Sequence, residues 1–187
     1  TNQLIQIYEN ILKNGFGPEA EKLVAAIAEK HFVIARRLDS SEVELSELST
    51  IITELKSILR NISGSSDATL DLILSFGERL SSQLFAQTLI RSGTPAKTFD
   101  VRQVMRTDRA FGKAEPQIEE IQALSEKFLI PELASGAVLV TQGFIGSTDR
   151  GETTTLGRGG SDYSAALLSE GLAAEELQIW TDVSGIM

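Results

Sequence analysis

The chain has 187 residues, 42% of them hydrophobic and 23% charged, with a net charge of −9. That is enough chain for one sizeable core, and the acidic balance argues against non-specific nucleic-acid binding and against anionic membrane surfaces. The lack of cysteine excludes disulfides and thiolate chemistry, and a single histidine, His31, argues against a histidine-dependent triad or metal site; His31 itself reads as structural or exposed. No apolar run is long enough to span a bilayer and no signal peptide opens the chain, so a cytoplasmic protein is expected.

Apolar residues at helical spacing predict a first helix over 1–13, broken at Gly15-Phe16-Gly17-Pro18. A chain that opens on Thr1 directly inside a helical pattern reads as an internal piece. Pro18 suits the first turn of a second helix, 18–38. A third is predicted over 41–61, and its charges read as a solvated face. Ser63 to Ser66 form a loop, and Asp67 is the expected N-cap of a fourth helix, 67–91. Gly77 lies inside that helix at a cost of about 1 kcal/mol against alanine, which suggests a close approach to its backbone or an interruption. Beside it, Glu78 is flanked by Phe76, Leu80 and Leu84. An amphipathic helix with a surface ion pair accounts for it without any function.

The character then changes. Residues 94–101 read as a strand. Residues 104–116 read as a polar loop or small hairpin with Arg102, Arg106, Arg109 and Lys113 close together: a solvated loop, or a cationic flap over a site. A fifth helix is predicted over 116–135, with Pro131 as a kink or end. A buried strand, 137–141, runs into a glycine-rich loop that ends where a helix begins near Asp162. A last strand, 177–181, would place Trp180 in the core. Strand, helix and strand in alternation mark a parallel α/β sheet, whose ligands sit beyond the carboxyl ends of the strands.

The loop from Thr141 to Asp162 is the chemical centre of the sequence. Its glycines let a ligand approach the backbone amides, and a glycine-rich turn opening into a helix start is a ready anion site. Arg158 at its tip carries a guanidinium fork suited to a carboxylate or phosphate. Ser161 or Asp162 could equally be a plain N-cap. The stretch is neither a P-loop nor a dinucleotide fingerprint.

Several motifs in order carry a resemblance. They are Phe76-Gly77-Glu78-Arg79-Leu80-Ser81, Phe99-Asp100-Val101-Arg102 through Phe111-Gly112-Lys113-Ala114-Glu115-Pro116, Thr141-Gln142-Gly143-Phe144-Ile145-Gly146-Ser147, Thr153 through Tyr163, and Trp180-Thr181-Asp182-Val183-Ser184-Gly185. Together they closely resemble aspartokinase, most nearly the monofunctional, lysine-sensitive type. The resemblance implies an α/β, three-layer α/β/α sandwich with a mainly parallel sheet, the amino-acid-kinase fold, incomplete here. The chain would be part of one catalytic domain, with a helical portion 1–92 and an α/β portion 93–187 and without regulatory ACT domains.

The activity implied is transfer of the ATP γ-phosphoryl group, with Mg2+, to the side-chain carboxylate of L-aspartate. The product is 4-phospho-L-aspartate, at the first step of lysine, threonine and methionine biosynthesis. By motif, Glu78 would hold the substrate amino group and Arg158 its carboxylate. Gly159, Gly160 and Ser161 would supply backbone and hydroxyl contacts, Phe144 would line the pocket, and Thr1 would contact substrate. Asp162 would stand next to the reacting groups, and Thr181 and Asp182 would meet ATP. A homodimer is implied for the full-length protein. The family's Lys-Phe-Gly-Gly-Thr-Ser strand, whose lysine meets the phosphates, is not in this sequence, and Met187 replaces a frequent tyrosine. The competing expectation is a non-catalytic module that binds an amino acid or another chain.

Overall fold

The computed structural model describes residues 1–180. Its four leading helices are α1 (Asn2–Asn14), α2 (Pro18–Arg37), α3 (Glu42–Arg60) and α4 (Asp67–Arg91). Their ends follow local chemistry. Pro18 opens α2, where a missing N–H costs nothing. Ser41 and Glu44 form a reciprocal capping box on α3. Ser66, not Asp67, caps α4, because its hydroxyl reaches the Thr69 amide while Asp67 already has helical backbone.

α4 is apolar on nearly every side, as a central helix must be. It contacts α1, α2 and α3 and also every strand. One buried cluster, from Leu4 to Leu84, fills the space among α1–α4. A second, from Val101 to Leu167, lies in the α/β part, and Phe144 packs against both. α1 packs against α4 at Gly77: a Cβ there would sit 3.4 Å from Leu4 Cδ1. That approach brings Thr1 alongside Glu78. Tyr8 adds a polar lock, its hydroxyl accepting from the Ser66 amide and donating to the Ser66 carbonyl.

β1 (Ala96–Phe99) pairs in parallel with β2 (Val138–Thr141), Ala96 opposite Val138. The crossover between them contains α5 (Ile118–Leu124), a π-helical turn (Ser125–Leu129) and α6 (Ile130–Leu133). The single predicted helix is thus broken in register just before Pro131, which lacks the N–H an α-helix would need there. After β2 come β3 (Ile145–Ser147), β4 (Thr153–Thr155) and α7 (Gly160–Gly171). β3 and β4 pair antiparallel. α4 lies on the strands, α6 on β2 and α7 on β3, in the helix–strand–helix layering of an α/β fold.

Three expectations are corrected. The glycine-rich stretch is not a single open turn; it contains the β3–β4 hairpin. Residues 104–107 are not a solvated loop: Val104, Met105 and Thr107 are buried, and Arg106 and Thr107 bond to β3. Gly146 permits this, since a Cβ there would meet the Met105 carbonyl at 2.6 Å. Leu177–Trp180 is not a strand and Trp180 is 89% exposed, because no backbone among the described residues pairs with it. Among the described residues no helix is long and apolar enough to cross a membrane.

Candidate active site

Glu78 sits on α4 one residue past Gly77, half-buried, with no side-chain hydrogen bond or ion pair among the described residues. The ion pair expected on this helix belongs to its neighbour: Arg79 grips Glu54 with two hydrogen bonds and lies over the Phe76 ring. Burial pushes the Glu78 carboxyl above the ordinary carboxylate range. A half-buried carboxylate left unpaired is costly unless something cationic joins it.

Arg158 projects from the turn between β4 and α7, exposed and also without an ion-pair partner among the described residues. The turn is built by glycines at positive φ, Gly157 at 76° and Gly159 at 75°, the latter capping α7. α7 begins at Gly160, so neither Ser161 nor Asp162 is the N-cap; both lie in its first turn, where N–H groups have no intrahelical acceptor. Gly160 must be bare, because a Cβ would meet Phe144 and Leu156 side chains at 3.0 Å.

Phe144 carries a positive φ of 69°, a strained value for a non-glycine residue. Ser164 holds it there. Its hydroxyl accepts from the Phe144 amide at 2.9 Å and donates to the Gly160 carbonyl at 2.7 Å. Behind Phe144, Gln142 accepts from the Val101 amide and donates to Ser82 on α4.

These groups enclose a cavity of about 280 Å³ lined by Thr1, Glu78, Phe144, Gly157, Arg158, Gly159, Gly160, Ser161 and Asp162. That is a volume for a small, polar ligand. Eight of the ten site residues named from sequence therefore share one cavity; Gly157 joins them, and Thr181 and Asp182 lie outside the described residues. Arg102, Arg106 and Arg109 do not form a flap over it. Arg102 is held by Asp100 and Thr153, Arg106 by Ser147 and Glu120, and Arg109 by Glu152. Burial raises the Asp100 carboxyl, but the hydrogen bonds and charge of Arg102 outweigh this and hold it below its usual range.

A cavity with an unpaired carboxylate, an unpaired guanidinium and a helix start can hold a zwitterion together with an anion. The model of the amino acid kinase family matches residues 3–187. The chain belongs to this family. Over its whole length it is 43% identical to the lysine-sensitive aspartokinase 3 of Escherichia coli, and it spans 40% of that protein. A crystal structure of E. coli aspartokinase III in complex with aspartate and ADP, in the R-state, matches with TM-score 0.88 and 40% identity, covering 99% of this chain and 40% of that one. The T-state complex of the same kinase with lysine and aspartate matches with TM-score 0.89 and 40% identity, covering 99% and 41%. The fold is therefore the amino-acid-kinase fold, present as part of a domain.

Supporting residues were less visible in the sequence. Ser164 works through Phe144, and Gln142 ties Val101 to Ser82 on α4. Asp71 has a detectable signal, a lone acid in the apolar run Leu70-Asp71-Leu72-Ile73-Leu74.

Proposed function

We propose that this chain carries the amino-acid-gripping part of an aspartate kinase, which moves the γ-phosphoryl group of ATP to the side-chain carboxylate of L-aspartate. The observation that carries this reading is the pair of unpartnered opposite charges, Glu78 and Arg158, on one small cavity beside a helix start. Glu78 takes the substrate ammonium and becomes a paired buried charge. Arg158 takes the α-carboxylate with its planar fork. Thr1, Phe144 and the Gly159–Ser161 backbone fix the remaining orientation, leaving the side-chain carboxylate free and Asp162 beside the reacting end.

That carboxylate is already ionised, so no general base is needed. One of its oxygens bonds to the γ-phosphorus as the bond from that phosphorus to the ADP oxygen breaks, yielding 4-phospho-L-aspartate and ADP. Two anions must meet, so positioning and positive charge supply most of the catalysis. The residues present fit an anion: exposed Arg158 and the Ser161 and Asp162 amides in the first turn of α7, the Gly160 amide being taken by the Gly157 carbonyl. Among the described residues no group of three or more acidic or histidine side chains offers a metal cage. Mg2+ accordingly enters this proposal through the nucleotide phosphates, whose charge it offsets. The acyl phosphate would feed lysine, threonine and methionine biosynthesis.

The test is phosphoryl transfer from ATP with Mg2+ to L-aspartate by the full-length protein, trapped as the hydroxamate. Arg158→Ala should lose roughly a hundredfold or more in rate. A wild-type protein that binds L-aspartate yet forms no hydroxamate would overturn the reading in favour of a binding module.

A further inference from the structure

Asp71 is a buried carboxylate, 1% exposed, with no cation against it. It lies on α4, two turns before Glu78. All its hydrogen bonds come from chain segments around Arg158. The Thr155 amide donates to it at 2.9 Å and the Thr155 hydroxyl at 2.7 Å. The Gly112 amide donates at 2.8 Å. Burial pushes the Asp71 carboxyl above the ordinary carboxylate range, the charge of Asp67 adds to this, and the three donors offset it only in part.

Both partners lead directly to the site. Thr155 ends β4, three residues before Arg158, and its carbonyl accepts from the Ala114 amide. Gly112 lies against the Arg158 turn: its carbonyl would stand 3.3 Å from a Cβ at Gly157, next to the Lys113 stem. Both glycines have positive φ, so this contact joins two tight turns rather than two flexible side chains. On the other side, α4 is a rigid rod. Seven residues at about 1.5 Å each place Glu78 about 10 Å along it from Asp71.

We infer that Asp71 is a positioning residue that sets the separation between Glu78 and Arg158 by tying the Arg158 turn to the helix that carries Glu78. The inference rests on the proposed grip of L-aspartate between those two charges. One end of the substrate is held by α4 and the other by the turn after β4, and Asp71 joins α4 to the last residue before that turn, Thr155, and to Gly112 packed against it. A neutral isostere should suffice. In Asp71→Asn the amide oxygen still accepts both N–H groups, and Nδ2 donates to the Thr155 hydroxyl once that hydroxyl rotates. Asp71→Ala leaves the two buried Thr155 donors unpaired and frees the exposed Gly112 amide, so the turn loses its anchor.

The experiment uses the full-length protein and the variants Asp71→Ala, Asp71→Asn and Thr155→Val. It measures KM for L-aspartate and for ATP separately, and amide hydrogen exchange at Gly112 and Thr155. Asp71→Ala should raise the KM for L-aspartate about tenfold or more while that for ATP moves less than about twofold. Asp71→Asn should stay within about threefold of wild type on both. A merely structural role would reduce the amount of folded enzyme and leave both KM values in place, and that result would overturn the inference. If Asp71→Ala does not fold, Thr155→Val carries the test; an unchanged KM for L-aspartate there overturns it. A wild-type protein inactive toward L-aspartate would defeat the proposed function instead. The clamp would then be read from exchange alone: faster exchange at Gly112 and Thr155 in Asp71→Ala than in Asp71→Asn supports it, and equal rates refute it.

Discussion

Glu78 is ionised only at some cost in this fold, since burial raises its carboxyl. A protonated Glu78 cannot pair with an ammonium group. Affinity for L-aspartate should therefore fall as pH drops through the raised value, starting above the ordinary carboxylate range. Stability runs the other way. The folded state binds this proton more tightly than the unfolded chain, so the contribution is greatest below the unfolded pKa and is lost as pH rises through the folded one. Glu78→Gln should remove both slopes, as calorimetric titration of L-aspartate and thermal unfolding across that pH window would show; a variant with the wild-type profile would clear Glu78 of the role. Glu78 and Arg158 were legible in the sequence because their motifs are long and ordered. The partners of Asp71 and Ser164 were not: a lone acid in an apolar run marks Asp71 as unusual, but a single acid or hydroxyl on a helix says nothing about which distant amide it will meet.

Among the elements, helices were the most readable, since each is closed by bonds within four residues and its apolar stripe repeats along the chain. The β3–β4 hairpin was missed. Gly143, Gly146 and Gly151 look alike in sequence, yet only Gly146 has another backbone carbonyl pressed on it. Gly146→Ala should destabilise the protein by about 1–3 kcal/mol through overpacking, while Gly64→Ala, with no neighbour within 4 Å of its Cβ, should leave the melting temperature unchanged. Comparable losses in the two variants would refute the close approach of residues 105–107 to β3. The strand predicted at 177–181 is not formed over Leu177–Trp180, and Thr181 lies outside the described residues: strand character is a property of a pair, and Leu177–Trp180 has no pairing partner among the described residues.

For the whole molecule, α4 is the shared wall. Phe76, fully buried, faces the helical cluster, while the same helix lies on all four strands and carries Glu78 and Asp71. Phe76→Ala should cost about 3–5 kcal/mol. Because both clusters lean on α4, the loss should appear as one cooperative transition, in far-ultraviolet dichroism and in hydrogen exchange of β3 and β4 alike. Separate transitions would show that the helical and α/β parts unfold independently.

The sequence by itself determined where the four leading helices run, the acidic character, the order of the kinase motifs and, through those motifs, the candidate charges Glu78 and Arg158. Those are properties of neighbours in the chain, or of long words that hold their meaning wherever they fold. Only the tertiary structure decided that Glu78 and Arg158 share a cavity and that three arginines are committed elsewhere. It also decided that Phe144 is held in strain and that Asp71 bonds across 84 residues to Thr155. Such contacts depend on loop closure and packing between distant segments, and no local spacing encodes them.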